Sequence, residues 1–390
     1  MKRFDVVIIG AGSVGVPLSW QLAHHGLSVA VVDEEASWGR GQNRAAIGGV
    51  RATHSDAAKI RICLESIEIF STLESLYGLD VEWRPGGYLY VAYDAETENQ
   101  FRSLLERQKA AGLNIDWVSL DSVARLAPGI LMDGLRGGTF SPEDGYASPL
   151  MAGSAFHGLA LDAGVSFFFN SRVERIRRQG NRIASMWVGD EEFRADLFIN
   201  AAGAKASDIA KLSGFDLPVF TDCHEAGVTE PVERFMEPMI VDVRSDAESG
   251  NYYFYQSSTG QIVFCITPRP QIWGRDKDST STFLPLVVRR MLELYPRMRN
   301  LRVRRTWRGM YPMTPDGLPI VGYPDAAVNF LQATGMCGQG FMMGPGLGRI
   351  LARTIVAGGC HDRPAGSTDY GFVFEELSIN RSFDHAELLK

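Results

Sequence analysis

The chain opens with a short apolar run, Phe4 to Ile9, that ends at a glycine-rich turn. A helical pattern follows from Val16 to His25, and a second apolar run, Val29 to Val32, ends at the acidic residue Asp33. Apolar runs of strand length on either side of a helical segment predict a β-α-β unit.

The turn after the first apolar run has the spacing Gly10-x-Gly12-x-x-Gly15. Gly10 allows a tight turn, Gly12 removes the Cβ that would block a pyrophosphate, and Gly15 lets helix and strand pack closely. The helix N-terminus adds free N–H groups and a partial positive charge, and Asp33 would accept hydrogen bonds from a ribose diol. The stretch predicts a dinucleotide site, and by itself it fits NAD and FAD equally.

The next part of the chain changes character near Val81. Glycines and polar residues from Glu34 to Arg51 predict a loop, and apolar spacing predicts a helix from Ser55 to Tyr77 that Gly78 ends. Beyond Val81 the pattern indicates a strand, two helices and a segment rich in turn residues, Gly138 to Pro149. This block is more typical of an inserted domain than of further parallel sheet.

The α/β alternation resumes after Pro149, with a predicted helix closed by Gly164. A strand from Ala195 runs into a second glycine turn at Gly203, whereas Pro218 to Asn300 is rich in strand patterns. A third glycine turn, around Gly340, precedes a helix predicted to begin at about Leu347.

Three glycine turns are more than a nicotinamide site needs, and they suit an extended FAD. We therefore predict an α/β fold with a Rossmann-type FAD-binding domain and an inserted, mainly antiparallel-sheet substrate domain. The FAD-binding domain is predicted to comprise residues 1–80, 140–216 and 301–390, and the substrate-binding domain residues 81–139 and 217–300. The helix after Gly340 would point its positive end at the flavin.

Composition narrows the range of partners and compartments. The length of 390 residues allows two domains, and the net charge of -7 argues against a nucleic-acid partner. Five cysteines without a Cys-x-x-Cys pair indicate a reduced, cytoplasmic compartment and give no sign of a metal site. No apolar run is long enough to span a bilayer, so the membrane alternative is peripheral attachment at the inner face.

Four motifs together resemble the FAD-dependent amine and amino-acid oxidoreductases of the D-amino acid oxidase superfamily, most of all sarcosine oxidase β subunits, glycine oxidase and L-proline dehydrogenase. They are the N-terminal fingerprint, Asn200-Ala201-Ala202-Gly203, the block from Thr314-Pro315-Asp316-Gly317 to Gly322, and Gly338-x-Gly340-Phe341. The resemblance covers nearly the whole chain.

The resemblance implies non-covalent FAD and a set of residues that hold it. These are Gly10, Gly12, Ser13, Val14, Gly15, Asp33, Glu34, Gly41, Gln42, Asn43, Gly48, Gly49, Val173, Ala202, Gly203, Gly309, Gly338, Gly340, Phe341 and Met342. Family members oxidise a C–N bond by passing hydride to flavin N5, and the imine product hydrolyses. A small amino acid or amine, secondary or N-substituted, is therefore the expected substrate.

Four residues are the predicted catalytic or substrate-binding set. Arg51 lies where sarcosine oxidases carry a carboxylate-binding arginine, and a guanidinium fork suits a carboxylate; a structural ion pair is the alternative. Near this cation His54 would stay neutral and orient substrate, or simply pack. Tyr311 matches a family active-site tyrosine, and Tyr253 is placed to cap the substrate, with core packing as the alternative for both.

Departures from the family pattern leave further alternatives open. Gly309 stands where monomeric sarcosine oxidases attach flavin to cysteine, and Met342 replaces a lysine, which favours a dehydrogenase that reduces a carrier or partner protein. A second hypothesis is a 2-hydroxy-acid dehydrogenase, which needs His54 or His224 as base. A third is a flavin-holding subunit of a heteromeric electron-transfer complex.

Overall fold

The computed structural model describes residues 1–358 and 369–389. The strands of these residues are β1 (Lys2–Ile9), β2 (Val29–Val32), β3 (Gly49–Val50), β4 (Tyr88–Ala92), β5 (Asp116–Val118), β6 (Gly137–Ser141), β7 (Gly145–Tyr146), β8 (Ser166–Phe168), β9 (Val173–Gln179), β10 (Arg182–Val188), β11 (Glu191–Asn200), β12 (Phe220–Pro231), β13 (Met239–Asp242), β14 (Ser249–Gln256), β15 (Gln261–Pro268), β16 (Val303–Met313), β17 (Ile320–Gly322) and β18 (Phe330–Thr334). The α-helices are α1 (Gly15–His24), α2 (Ala57–Tyr77), α3 (Ala95–Ala110), α4 (Leu120–Leu126), α5 (Pro149–Asp162), α6 (Ala206–Leu212), α7 (Phe283–Leu294), α8 (Gly340–Gly358) and α9 (Gly371–Glu376).

The first sheet has β1 at its centre, parallel to β2 on one side and to β11 on the other. The parallel strands β8 and β18 extend it, β17 closes one edge, and the β9–β10 hairpin attaches to β11. The whole of β2 and the second half of β1 are buried, as in a parallel sheet covered on both faces. The Rossmann-type prediction is confirmed.

Helix α8 packs against both α1 and α2, and α1 contacts β1 and β2 of this sheet. Close approach depends on glycines of α8, because a Cβ at Gly344 would collide with the Ser13 carbonyl and one at Gly346 with the Ile62 carbonyl. Helix α8 begins at Gly340, so the predicted start near Leu347 is wrong. Glycine lowers helix propensity, and here tertiary packing overrides it.

The second sheet has the strand order β16-β12-β15-β14-β13-β4-β6-β5. Its neighbours are antiparallel except β13 and β4, which are parallel. The prediction of a second, mainly antiparallel sheet is confirmed.

Two parts of the second sheet were not recognised in the sequence. The turn-rich segment 138–149 contains most of β6, and it also contains β7, which pairs with β3 in a separate two-stranded sheet. Strand β16 falls in the range 301–390 that was assigned to the FAD-binding domain, yet it pairs with β12 along nearly its whole length. It is an edge strand that contains Gly309 and Pro312, residues that depress a strand signal and that an edge tolerates. The domain boundaries themselves stay a prediction.

Two further features concern the helices and the cysteines. Within residues 1–358 and 369–389, no helix combines the length and the apolar character that crossing a bilayer requires. Cys63, Cys223, Cys265 and Cys337 are buried free thiols. Cys360 lies outside the described residues.

Candidate active site

A cavity of about 640 Å³ lies between the carboxyl edge of the first sheet and the second sheet. The ends of β1, β2, β11 and β18 supply one wall, and β4, β13, β14, β15 and β16 supply the other. The carboxyl edge of a doubly wound sheet is where such folds bind ligands, and the volume is typical of cofactor sites.

The first glycine turn has the geometry that a dinucleotide site requires. Gly10 has φ +113°, a conformation that side chains disfavour, and a Cβ at Gly15 would collide with the Gly10 carbonyl. A Cβ at Gly12 would meet no atom within 4 Å, because the position faces the cavity. A phosphate group in the cavity could therefore reach the backbone N–H groups at the N-terminus of α1.

Asp33 holds this turn as well as lining the cavity. The Ala11 N–H donates to its Oδ2 at 2.6 Å and the Glu35 N–H to its Oδ1 at 2.8 Å. Burial raises the pKa of Asp33 even though these two hydrogen bonds oppose the shift. Each carboxylate oxygen keeps a second lone pair, which suits the predicted ribose contact.

Nearly all the predicted FAD residues lie on the cavity wall. The lining includes Gly10, Gly12, Ser13, Val14, Asp33, Glu34, Gly41, Gln42, Asn43, Gly48, Gly49, Val173, Ala202, Gly203, Gly309, Gly338, Gly340, Phe341 and Met342. Gly15 does not line it and contributes through helix packing instead. The binding roles of these residues stay predictions.

The end of the cavity near β2 is flanked by cations that sequence analysis missed. Lys205 forms an ion pair with Glu34, and Arg275 and Lys277 reach the wall from the loop after β15. Lys205 is 171 residues from Glu34 along the chain, and Arg275 and Lys277 are farther still, so no local pattern connects them.

The N-terminus of α8 forms the wall at the opposite end. Gly340, Phe341 and Met342 are its first residues and all three line the cavity. Gly338, with φ +83°, is pressed against the Tyr311 ring, which a side chain there would overlap. The partial positive charge of this helix therefore points into the cavity beside Tyr311.

Tyr253 and Tyr311 form a pair at this end of the cavity. Their hydroxyl oxygens are 3.1 Å apart, and both residues belong to the wall. Burial raises the pKa of both phenols, so both stay protonated; one hydroxyl donates to the other, which keeps its own hydrogen for a ligand. Tyr255, on the same strand face, does not line the cavity but donates to the Ile47 carbonyl at 2.6 Å.

His224 supports Tyr311 from behind and is not part of the cavity wall. The two rings stack with centroids 3.9 Å apart at an angle of 20°. Its Nε2 lies 3.1 Å from Asp222 Oδ2. Sequence analysis also missed Tyr88, Tyr90 and Asn251, which line the same end.

Arg51 reaches the cavity near these tyrosines although only 5% of the residue is exposed. One guanidinium nitrogen donates to the Thr53 carbonyl and the other to the Leu389 carbonyl, the latter at 2.8 Å. The guanidinium also lies 5.7 Å from the centre of the Tyr90 ring. Among the described residues Arg51 has no carboxylate hydrogen-bond partner, although the negative charge of Glu387 acts on it from nearby.

His54 lies behind Arg51 and not on the cavity wall. Burial, followed by the charges of Arg51 and Lys59, lowers its pKa well below the usual range, so the ring is neutral. Its Nδ1 lies 3.0 Å from Glu387 Oε1 and its Nε2 3.5 Å from Cys63 Sγ. In the tautomer with its proton on Nδ1, the ring donates to the Glu387 carboxylate and accepts from the Cys63 thiol. Arg51 Nη1 also lies 3.0 Å from Nδ1, and the ring does not reach the cavity.

Asp144 fixes the loop that carries Arg51. It accepts from the N–H groups of Ala52 and Thr53, at 2.7 Å and 3.3 Å, and from the Thr53 hydroxyl at 2.6 Å. Burial raises the pKa of Asp144 to about 6, against the effect of these hydrogen bonds. Asp144 lies 92 residues after Ala52, and nothing in the sequence indicated that its carboxylate would accept three hydrogen bonds from the Arg51 loop.

The raised pKa of Asp144 predicts a specific pH dependence of stability. Between about pH 4 and pH 6 the folded chain keeps a proton that the unfolded chain releases, so wild type gains stability as pH falls through about 6. The difference in free energy of unfolding between wild type and Asp144→Asn should grow by about 1 kcal/mol from pH 7 to pH 5. Urea unfolding at both values measures it, with the exposed Asp133→Asn as control; a difference that does not change with pH contradicts the prediction.

Comparison with known proteins gives the class of this protein. The sequence profile of the FAD dependent oxidoreductase family, abbreviated DAO, matches residues 5–354. The chain belongs to this family. The predicted resemblance and the FAD cofactor are thereby confirmed.

Individual proteins of the family align with most of the chain. It is 24% identical to FAD-dependent oxidoreductase domain-containing protein 1 of Xenopus laevis, across 92% of this chain and 80% of that protein. It is 24% identical to the mitochondrial sarcosine dehydrogenase of Mus musculus, across 92% of this chain but only 40% of that protein. The crystal structure of L-proline dehydrogenase from P. horikoshii matches with a TM-score of 0.86 and 27% identity, covering 92% of this chain and 94% of that one.

Proposed function

We propose that this protein oxidises the C–N bond of a small, secondary or N-substituted amino acid such as L-proline or sarcosine. The observation that carries the proposal is the grouping of Arg51, Tyr253 and Tyr311 on one end of the cavity, beside the N-terminus of α8. A buried cation and neutral hydroxyl donors fit an amino acid's carboxylate. The relatives named for sarcosine and L-proline support the same substrate class.

The FAD would extend from the glycine turn of β1 to the start of α8. Asp33 and Val173 would hold its adenosine end, Gly12 its diphosphate, and Gly340 would lie near its ring. Bound there, FAD supplies a two-electron acceptor for the substrate. Gly309 faces Ala45 and has no side chain for a covalent link, which supports non-covalent binding.

The protein's own part in the reaction is binding and orientation. Arg51 would fix the carboxylate, and the Tyr253–Tyr311 pair would close over the substrate and exclude water. Histidine is missing from the cavity wall in the part of the chain that the structure describes, and the acidic wall residues belong to the adenosine end. A substrate that arrives with a neutral amine needs no base, whereas a hydroxyl does. This favours the amino acid over the 2-hydroxy acid.

Anaerobic titration tests the proposal directly. Purified protein loaded with FAD is mixed with L-proline, sarcosine or 2-hydroxyglutarate, and the visible flavin absorption is followed. Bleaching by an amino acid but not by the hydroxy acid is the expected result. Bleaching by 2-hydroxyglutarate alone, or by no amine or amino acid, would reject the proposal.

The second part of the proposal concerns the electron acceptor: the electrons leave the flavin for a carrier or a partner subunit and not for oxygen. Met342 on the wall and the absence of lysine from β15 support a dehydrogenase that passes electrons to a carrier or partner protein. The reduced protein should reoxidise slowly in air and rapidly with a dye acceptor. Fast reoxidation by oxygen would identify an oxidase instead.

A further inference from the structure

The segment His385–Leu389 lies beside Arg51 and is hydrogen-bonded to the loop before α2. The Leu388 N–H donates to Ser55 Oγ at 3.2 Å, and His385 Nε2 lies 2.8 Å from Asp56 Oδ1. These contacts hold the segment against the loop that follows Arg51, behind the cavity wall.

Glu387 anchors the segment in a fully buried polar cluster. Its carboxylate contacts the Lys59 ammonium and accepts from His54 Nδ1 at 3.0 Å, and all three side chains are inaccessible to solvent. A buried charge that loses its partner is costly, so this anchor resists displacement.

Leu389 carries the contact that matters for binding. Its side chain is 3% exposed and packs in the apolar cluster that contains Tyr88, Tyr90 and Tyr255. Its carbonyl accepts from one guanidinium nitrogen of Arg51 at 2.8 Å, while the other nitrogen donates to Thr53. One guanidinium nitrogen thus meets the Thr53 carbonyl and, at 3.0 Å, His54 Nδ1, whereas the other is engaged by the neutral Leu389 carbonyl.

We propose that Leu389 is a specificity-determining residue: its carbonyl competes with the substrate carboxylate for Arg51, and binding displaces it. This inference rests on the proposed function, in which Arg51 takes a carboxylate. An ionised acceptor bonds a guanidinium more strongly than a neutral carbonyl does, so a carboxylate wins the exchange. A neutral ligand of the same shape cannot displace the Leu389 carbonyl. It would only replace one neutral acceptor at Arg51 with another, and so it would gain no binding free energy.

Leu389→Ala in the FAD-loaded protein tests the competition. Removing the buried side chain loosens the segment, which raises the fraction of molecules with Arg51 free, and apparent affinity rises with that fraction. We expect cyclopentanecarboxylate to bind roughly tenfold more tightly, with little change for cyclopentanecarboxamide, as measured by calorimetry. Leu388→Ala is the matched control, since Leu388 is 52% exposed. Equal or weaker carboxylate binding in Leu389→Ala than in the control overturns the proposal.

Hydrogen exchange on the wild-type protein tests the same competition and does not depend on the folding of a variant. Saturating cyclopentanecarboxylate should speed exchange of the Leu388 amide, which donates to Ser55 Oγ, and the carboxamide should not. Unchanged or slower exchange with the carboxylate overturns the proposal. If the segment responds but no amino acid is oxidised, the competition at Arg51 is supported and the proposed reaction fails. If an amino acid is oxidised and the segment does not respond, the proposed reaction is supported and the competition fails.

Discussion

Gly12→Val should lose FAD while the chain still folds. The Gly12 backbone is outside the left-handed region and a Cβ there meets no protein atom within 4 Å, so the fold tolerates a side chain. The same side chain fills the space where the diphosphate would contact backbone N–H groups. Losing two hydrogen bonds to a charged phosphate costs about 3–6 kcal/mol, which weakens FAD binding by ~100-fold or more. Equilibrium dialysis with FAD measures the affinity.

Two other glycines make this test specific. Gly158 in α5 also has no atom within 4 Å of a built Cβ, and Gly158→Val should retain full FAD affinity. Gly15→Val should instead destabilise the fold, because its side chain would overlap the Gly10 carbonyl. Thermal melting of the three apoproteins separates a blocked cofactor site from a damaged fold. Normal FAD affinity in a folded Gly12→Val protein would remove the first glycine turn from the cofactor site.

Arg51→Ala should raise the KM for a carboxylated substrate by roughly 100-fold and leave FAD bound. A bidentate, charge-assisted contact in a buried site contributes on the order of 3 kcal/mol, and Arg51 is 5% exposed. The variant also leaves the Thr53 and Leu389 carbonyls without their donor, so melting temperature is measured beside the kinetics.

Arg51→Lys and a substrate without a carboxylate provide the controls. Lysine keeps the charge and loses the planar fork, so an intermediate KM is expected. N-methyl amines without a carboxylate should react equally well, or equally poorly, with all three proteins. An unchanged KM for the amino acid in Arg51→Ala would exclude Arg51 from the substrate site.

Local pattern was sufficient for the opening β-α-β unit of the cofactor half of the molecule. The run from β1 to Asp33 specifies strand, turn, helix and strand through residue spacing and through glycines whose backbone geometry no other residue adopts easily, as Gly10 shows with φ +113°. The end of α2 at Gly78, with φ 68°, follows from the same conformational preference.

Spacing could not predict β16 or the start of α8. In β16 the edge position tolerates Gly309 and Pro312, and in α8 the glycines serve contacts with α1 and α2 that become visible only when the helices meet. Local secondary-structure propensity disfavours both elements, and tertiary packing stabilises them.

The sequence by itself determined the family, the cofactor and the opening β-α-β unit, because each depends on motifs that are read within a few tens of residues. The tertiary structure alone decided what surrounds Arg51. It brought Asp144 to the Arg51 loop and put Glu387 on His54 and Lys59, across as many as 333 residues of chain. It also placed the Leu389 carbonyl on the guanidinium. Such contacts depend on how distant segments pack, and no periodicity or spacing within the chain records them.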